Sequence, residues 1–254
     1  METMKEFFSS SGELVGKMYL GDCLEILPRI KNDIDIEVAI FSPPYNLING
    51  VGSRRIKEQY SKWYYDTLEE PIYQEEQKRL ISLLVKITKS SIFYNHKIRY
   101  AWHPRNKHSG AARIYHPMMW LQDFPIWTEI IWDRKTKNQP IPKKYPICDE
   151  RIYQIKKPNK WKDYGWSNIW RINPSKNQGH VCTYPAELVE RCMLPTTEEN
   201  DFVLDPYMGS GTTAITALKH NRRFIGIERN EEYFDLCCMN IQKEIDKYQQ
   251  IRMF

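Results

Sequence analysis

Apolar positions along this chain fall into short continuous runs and helical stripes that alternate from one end to the other. Residues 34–41 begin with alternation and end in the run Val38-Ala39-Ile40-Phe41, as a strand buried on both faces does. Phe202-Val203-Leu204, Ser91-Ile92-Phe93-Tyr94 and the segment 223–228 read as further strands, and residues 17–20 as a short one ending at Gly21-Asp22-Cys23. Segments 125–132 and 151–155 have strand character and flank a stretch rich in Pro and Lys. Helical spacing appears at Leu24, Leu27 and Ile30, and again at Leu80, Leu83, Leu84 and Ile87 within 74–89. Residues 185–194 form a helix opened by Pro185, followed by helices over 213–219 and 231–248. Strands alternating with helices predict an α/β fold: a mostly parallel sheet with helices on both faces.

No internal repeat or low-complexity linker divides the 254 residues, so the reading is a single domain over 1–254. Aromatic content is 13%, with 8 Trp and 16 Tyr, more than a plain core requires and suited to stacking flat ligands. The net charge of +5 is compatible with a polyanion partner. None of the six cysteines forms a CxxC pair, which removes support for a zinc or thioredoxin-type motif. No apolar run approaches the roughly 18 residues of a membrane helix, and the first residues lead into no signal-type segment. A reduced, intracellular, soluble protein is expected.

Two stretches carry chemistry. Asp205-Pro206-Tyr207-Met208-Gly209-Ser210-Gly211-Thr212-Thr213 follows one strand and opens a helix. Its glycines let backbone approach a ligand that side chains would block, and the helix directs N–H groups at that ligand. The next strand ends in Glu228, placed as the carboxylate that hydrogen-bonds ribose hydroxyls in Rossmann-type sites. The loop lacks the Gly-Lys-Ser/Thr of a P-loop, which disfavours nucleoside triphosphate hydrolysis. The second stretch is Ser42-Pro43-Pro44-Tyr45, after 34–41. Ser42 offers a hydroxyl, two prolines fix the backbone and leave carbonyls as acceptors, and Tyr45 offers a flat face. An exocyclic amine on a nucleobase is a poor nucleophile because its lone pair is delocalised into the ring. Two acceptors on its hydrogens favour a pyramidal nitrogen, freeing the lone pair to attack an electrophilic methyl.

These residues resemble the β-group of S-adenosylmethionine-dependent DNA amino-methyltransferases, and the resemblance covers nearly the whole chain. Its strongest marks are Ser42-Pro43-Pro44-Tyr45-Asn46, the 205–213 loop, and Gly226-Ile227-Glu228 with Tyr233-Phe234 behind it. Weaker ones are Gly21-Asp22-Cys23, His180-Val181-Cys182-Thr183-Tyr184-Pro185 and Asp149-Glu150-Arg151-Ile152-Tyr153. The Ser42 turn precedes the glycine loop, a circularly permuted motif order on a Rossmann-like methyltransferase fold. The permutation requires the strand carrying Glu228 to lie beside the strand starting at Lys17. The resemblance implies catalytic roles for Ser42, Pro43, Pro44 and Tyr45. It implies S-adenosylmethionine contacts from Asp22, Cys23, His180, Tyr184, Asp205, Pro206, Met208, Gly209, Ser210, Gly211, Thr212 and Glu228. Many relatives have Lys-Pro where this chain has Tyr184-Pro185. Members with Ser at the first position of the turn mostly methylate cytosine N4, and those with Asp mostly adenine N6; the lean is to cytosine N4, with adenine N6 open.

Double-stranded DNA is the implied partner, its target base flipped out to reach Ser42. A mobile basic loop is expected over 47–65 with Arg54, Arg55 and Lys57, and a target-recognition insert over 133–175 with Lys135, Lys137, Lys143 and Lys144. Trp132, Trp161, Trp166 and Trp170 are read as its stacking groups. His96, His103, His108 and His116 match no metal motif and are read as phosphate contacts or plain surface, and no metal is expected. Amine methylation needs no covalent enzyme–base intermediate, so no cysteine is assigned as nucleophile. The resemblance admits a cognate restriction endonuclease acting separately, a homodimer, and a prokaryotic or phage-type cytoplasmic setting. The rival readings are an RNA or small-molecule methyltransferase, a non-catalytic DNA-binding protein and a dinucleotide-dependent oxidoreductase. The last leaves Pro43-Pro44-Tyr45 without a role.

Overall fold

A computed structural model describes residues 3–31, 34–47, 68–102, 112–135, 145, 147–175 and 184–251. In chain order its elements are β1 (Met4–Phe8), β2 (Leu14–Leu20), α1 (Cys23–Ile30), β3 (Ile36–Phe41), α2 (Glu70–Ile87), β4 (Ile92–His96), β5 (Arg99–Trp102) and β6 (Ala112–Tyr115). They continue as α3 (Met118–Leu121), β7 (Ile126–Asp133), β8 (Asp149–Ile155), β9 (Ile169–Arg171), α4 (Ala186–Met193), β10 (Phe202–Asp205), α5 (Thr212–Lys219), β11 (Arg223–Glu228) and α6 (Glu231–Ile251).

Nine of these strands form one sheet in the order β1-β2-β11-β10-β3-β4-β8-β7-β9, while β5 and β6 pair as a separate hairpin. The central run from β2 to β4 is parallel throughout. Antiparallel pairing enters at β1 and at β8. As the permuted order requires, β11 lies beside β2, with Glu228 opposite Leu20. Alternate strand residues feed two cores, as the period of two dictates. Val38, Ile40, Val203 and Phe224 meet α4, α5 and α6 on one face; Ala39, Phe41, Leu204 and Ile227 meet α1, α2 and α3 on the other. On the first face the packing is close enough to demand glycine at 226, where a Cβ would stand 2.2 Å from the Met18 sulfur.

Five elements depart from the pattern-based reading: β1, β5, β6, α3 and β9 were not expected. Each is short, and an edge strand buries too few residues to print a period. In β1 only Phe7 is buried, and in β9 only Trp170.

The connections create the crevice that matters. From β10 the chain passes through α5 to β11, and from β3 it passes towards α2 and β4 on the opposite side and the opposite face. The carboxyl ends of β3 and β10 therefore flank the topological switch point, where open α/β sheets bind ligands. No helix among the described residues is long and apolar enough to cross a membrane.

Candidate active site

Ser42 leaves the sheet directly after β3, and Tyr45 folds back so that the two hydroxyl oxygens stand 2.6 Å apart. The Tyr45 hydroxyl also reaches Asn95 Oδ1 on β4 at 2.8 Å and Glu150 Oε2 at the start of β8 at 3.0 Å. Glu150 is buried and its other oxygen receives Arg134 Nη1 at 2.9 Å. The turn is supported from beneath: the Tyr73 hydroxyl, on α2, lies 2.9 Å from the Pro44 carbonyl and 2.7 Å from His96 Nε2. Asn46 adopts a left-handed conformation with φ 54°, reversing the chain, and donates to the Leu68 carbonyl. Below it, Arg99 grips Glu70 through both Nη atoms at 2.6 and 2.5 Å.

The second half of the site sits on β10, β11 and β2. Asp205, the last residue of β10, is buried and accepts from Tyr184 at 2.7 Å, Thr213 at 2.6 Å and the Tyr207 N–H at 2.9 Å. Burial pushes its carboxyl up to about 6, against the pull of those donors. The loop is pinned to β11 by the Met208 N–H bonding the Ile227 carbonyl at 2.9 Å. Gly209 and Gly211 take φ values of 55° and 95°, and Gly211 caps α5. Glu228 accepts from the N–H groups of Gly209 and Asn230, both at 2.9 Å. Asp22 caps α1 by accepting from the Leu24 N–H at 2.8 Å, and the Gly21 N–H ties to the Glu228 carbonyl at 2.9 Å. Acidic side chains from β2 and β11, a positive-φ glycine loop and a helix amino end thus converge as a nucleoside-type cofactor requires.

The expected site residues divide cleanly. Ser42, Pro43, Pro44, Tyr45, Asp22, Cys23, Asp205, Pro206, Met208, Gly209, Ser210, Gly211, Thr212 and Glu228 all lie at one end of the sheet, at or just past the ends of β2, β3, β10 and β11, and Tyr184 joins them through its bond to Asp205. Within that group, Met208 and Cys23 are buried rather than open: Met208 packs over Gly226, and burial pushes the Cys23 thiol up to about 12. Burial likewise raises the thiols of Cys192, Cys237 and Cys238. The hydroxyl of Tyr184 is committed to Asp205 and Thr213. His180, Arg54, Arg55, Lys57, Lys137, Lys143 and Lys144 lie outside the described residues, as does most of the 47–65 loop. Lys135 is exposed, just past the end of β7.

Two expectations need correction. His96 is no surface residue: it is fully buried between Tyr73 and the Lys97 carbonyl, and burial, with Arg99 nearby, holds it well below the usual imidazole range. The stretch 133–175 is no single insert. Its 149–155 and 169–171 segments are sheet strands, and Trp132 and Trp170 are core residues. Trp161 belongs to a crossing past the amino ends of the strands. There Lys160 pairs with Asp201 at 2.6 Å and Asn159 bonds the Lys89 carbonyl at 2.8 Å. A lysine-rich sequence carries no sign of which end of the sheet it crosses. Nothing in the sequence marks Asn95, Tyr73 or Arg99 for this site; Glu150 stands in the 149–153 block without an implied role, and Arg134, which reads there as one of the basic residues of a phosphate-tracking surface, instead pairs with Glu150.

Fold and site together define an α/β enzyme of the doubly wound type, with a cofactor crevice at the switch point and a proline-stiffened corner beside it. The sequence matches the model of the DNA methylase family over residues 36–239, and the chain belongs to that family, amino-methyltransferases that take their methyl group from S-adenosylmethionine. Type II methyltransferase M.BglII of Bacillus subtilis is 27% identical over 256 aligned residues, covering 92% of this chain and 71% of the relative. Type II methyltransferase M.Cfr9I of Citrobacter freundii is 29% identical over 134 residues, covering 46% of this chain and 44% of its own length. The solved PvuII DNA methyltransferase (cytosine-N4-specific) shares the fold, with a TM-score of 0.67 at 20% identity, covering 91% of this chain and 92% of that one.

Proposed function

We propose that this protein transfers the methyl group of S-adenosylmethionine to the exocyclic amine of a base flipped out of duplex DNA, with cytosine N4 as the acceptor. The observation that carries the reading is the adjacency of its two halves. β3 and β10 pair in parallel with Leu204 opposite Ala39, so Ser42 and the glycine loop leave neighbouring strands at the same end. Bound there, the cofactor supplies an electrophilic methyl carbon. The Ser42 hydroxyl and a proline carbonyl hold the amine's hydrogens, and the exposed part of the Tyr45 ring takes the base face, with Lys97 5.6 Å above that ring. Asp22 and Glu228 hold the nucleoside end of the cofactor. Unstacking the base costs a few kcal/mol, which these pocket contacts return.

Ser42 in place of a carboxylate supports cytosine N4, and the PvuII enzyme, cytosine-N4-specific by its description, carries the same fold. Phosphate contacts fall to the site end of the sheet, where Lys135 stands, and to the basic residues of 47–65. The deciding experiment incubates the protein with duplex DNA and cofactor carrying a labelled methyl group, with RNA as competitor, then maps the modified atom. Label on cytosine N4 of DNA is the expected result. Label on adenine N6 overturns the choice of base, and label only on RNA overturns the substrate.

A further inference from the structure

Serine differs from a carboxylate at the head of the turn in one respect: its hydroxyl can donate as well as accept. We propose that Glu150 and Asn95, acting through the Tyr45 hydroxyl, turn the Ser42 hydroxyl hydrogen away from the base, so that the site selects an exocyclic amine over an exocyclic oxygen. This rests on the reading of Ser42 as the residue that holds the amine.

The hydrogen directions follow from the neighbours. Asn95 Nδ2 donates to the Arg151 carbonyl at 3.1 Å, which fixes the amide so that Oδ1 faces Tyr45. Arg134 Nη1 donates to Glu150 Oε1, leaving Oε2 towards Tyr45. Neither oxygen can donate, and a phenol has one hydrogen, so that hydrogen goes to Asn95 or Glu150. The 2.6 Å contact between Ser42 and Tyr45 then has Ser42 as its donor. What Ser42 Oγ shows the pocket is lone pairs alone, the one-way polarity of a carboxylate. An amine hydrogen satisfies them. The oxygen of uracil, thymine, hypoxanthine or guanine meets them acceptor to acceptor, a mismatch on the order of ten- to hundredfold in affinity. Glu150 and Asn95 are positioning residues in this account: they act on the base through Tyr45 and Ser42.

The test uses the full chain with S-adenosylhomocysteine and duplexes carrying the mapped target base or its oxo counterpart, uracil for cytosine or hypoxanthine for adenine. Competition binding gives the amine-to-oxo preference, and methyl transfer to the amine duplex runs alongside. Wild type should favour the amine duplex about tenfold or more. Tyr45→Phe keeps the ring and frees the Ser42 rotor, so the preference should fall several-fold, to what the proline carbonyl alone supplies. The double variant Asn95→Ala with Glu150→Gln goes further. Arg134 holds the Gln oxygen, its amide nitrogen donates to Tyr45, and the phenol hydrogen turns to Ser42. A loss of folding would weaken both duplexes alike and leave the ratio unmoved, so the ratio isolates the relay. Should the double variant fail to fold, Tyr45→Phe decides alone. Folded variants that retain the wild-type ratio overturn the proposal. A wild type that methylates no duplex overturns the functional reading, and this inference with it.

Discussion

Asp205 shows how a single residue couples the glycine loop to the fold. Its carboxylate is the common acceptor for Tyr184, Thr213 and the Tyr207 N–H, yet burial lifts its carboxyl from the ordinary 3.8 to about 6. A raised carboxyl contributes stability while protonated, in full below pH 3.8, and that contribution is lost as pH rises through 6. The substitution Asp205→Asn keeps an oxygen for the Tyr207 N–H and places an amide beside the two hydroxyls, without the titration. The stability of wild type relative to Asp205→Asn should therefore fall by about 3 kcal/mol between pH 4 and 6 and level off above it. Urea unfolding of both proteins across that range measures it; parallel profiles would show that the carboxyl titrates normally. At this scale the sequence was informative about chemistry and silent about partners. Asp205 and Tyr184 both stand out in the sequence as candidate cofactor residues, but their bond to each other does not, since 21 positions separate them.

Among the elements, α2 does most to shape the Pro-Pro corner. Tyr73 from its first turns supports the Pro44 carbonyl, and Glu70 at its start holds Arg99 from β5 in a two-bond clasp. The guanidinium of Arg99 also lies 4.8 Å from the Tyr73 ring centroid and 5.7 Å from that of Trp120. Arg99→Ala leaves Glu70 in a largely enclosed site without its cation. Loss of about 3–5 kcal/mol of stability follows, since removing one partner of a buried pair strands the other. Arg99→Lys keeps the charge but loses the planar fork, so it should recover only part of that loss. Thermal melts of the two variants check the order; equal melting temperatures for wild type and Arg99→Ala would remove the clasp from the account. Stripes such as Leu80, Leu83, Leu84 and Ile87 made α2 readable in advance. The hairpin of β5 and β6 was not: Arg99 reaches α2 through a polar clasp on Glu70, which leaves no apolar period to read.

Across the whole molecule, the two ends of the sheet have separate work. The carboxyl ends carry Ser42, Asp205, Glu228 and Asp22, and the described residues flanking 48–67, 136–144 and 176–183 stand at that same end. Trp161, 62% exposed, belongs to the crossing at the amino ends. Trp161→Ala should therefore leave methyl transfer and DNA affinity unchanged, measured by filter binding and label incorporation on one duplex. A marked loss of DNA affinity would return that segment to the recognition surface.

By itself the sequence determined the alternation of buried strands and amphipathic helices, the glycine loop, the Pro-Pro turn and their permuted order. These are written locally, in periods of two and 3.6 and in residues whose backbone freedom or rigidity is intrinsic. Only the tertiary structure decided that Tyr45 meets Glu150 and Asn95, that His96 is sealed in the core, and that the tryptophans of 133–175 part between core and far edge. Such contacts join positions 50 or 105 residues apart, and their geometry exists only once the sheet has set strand order and register.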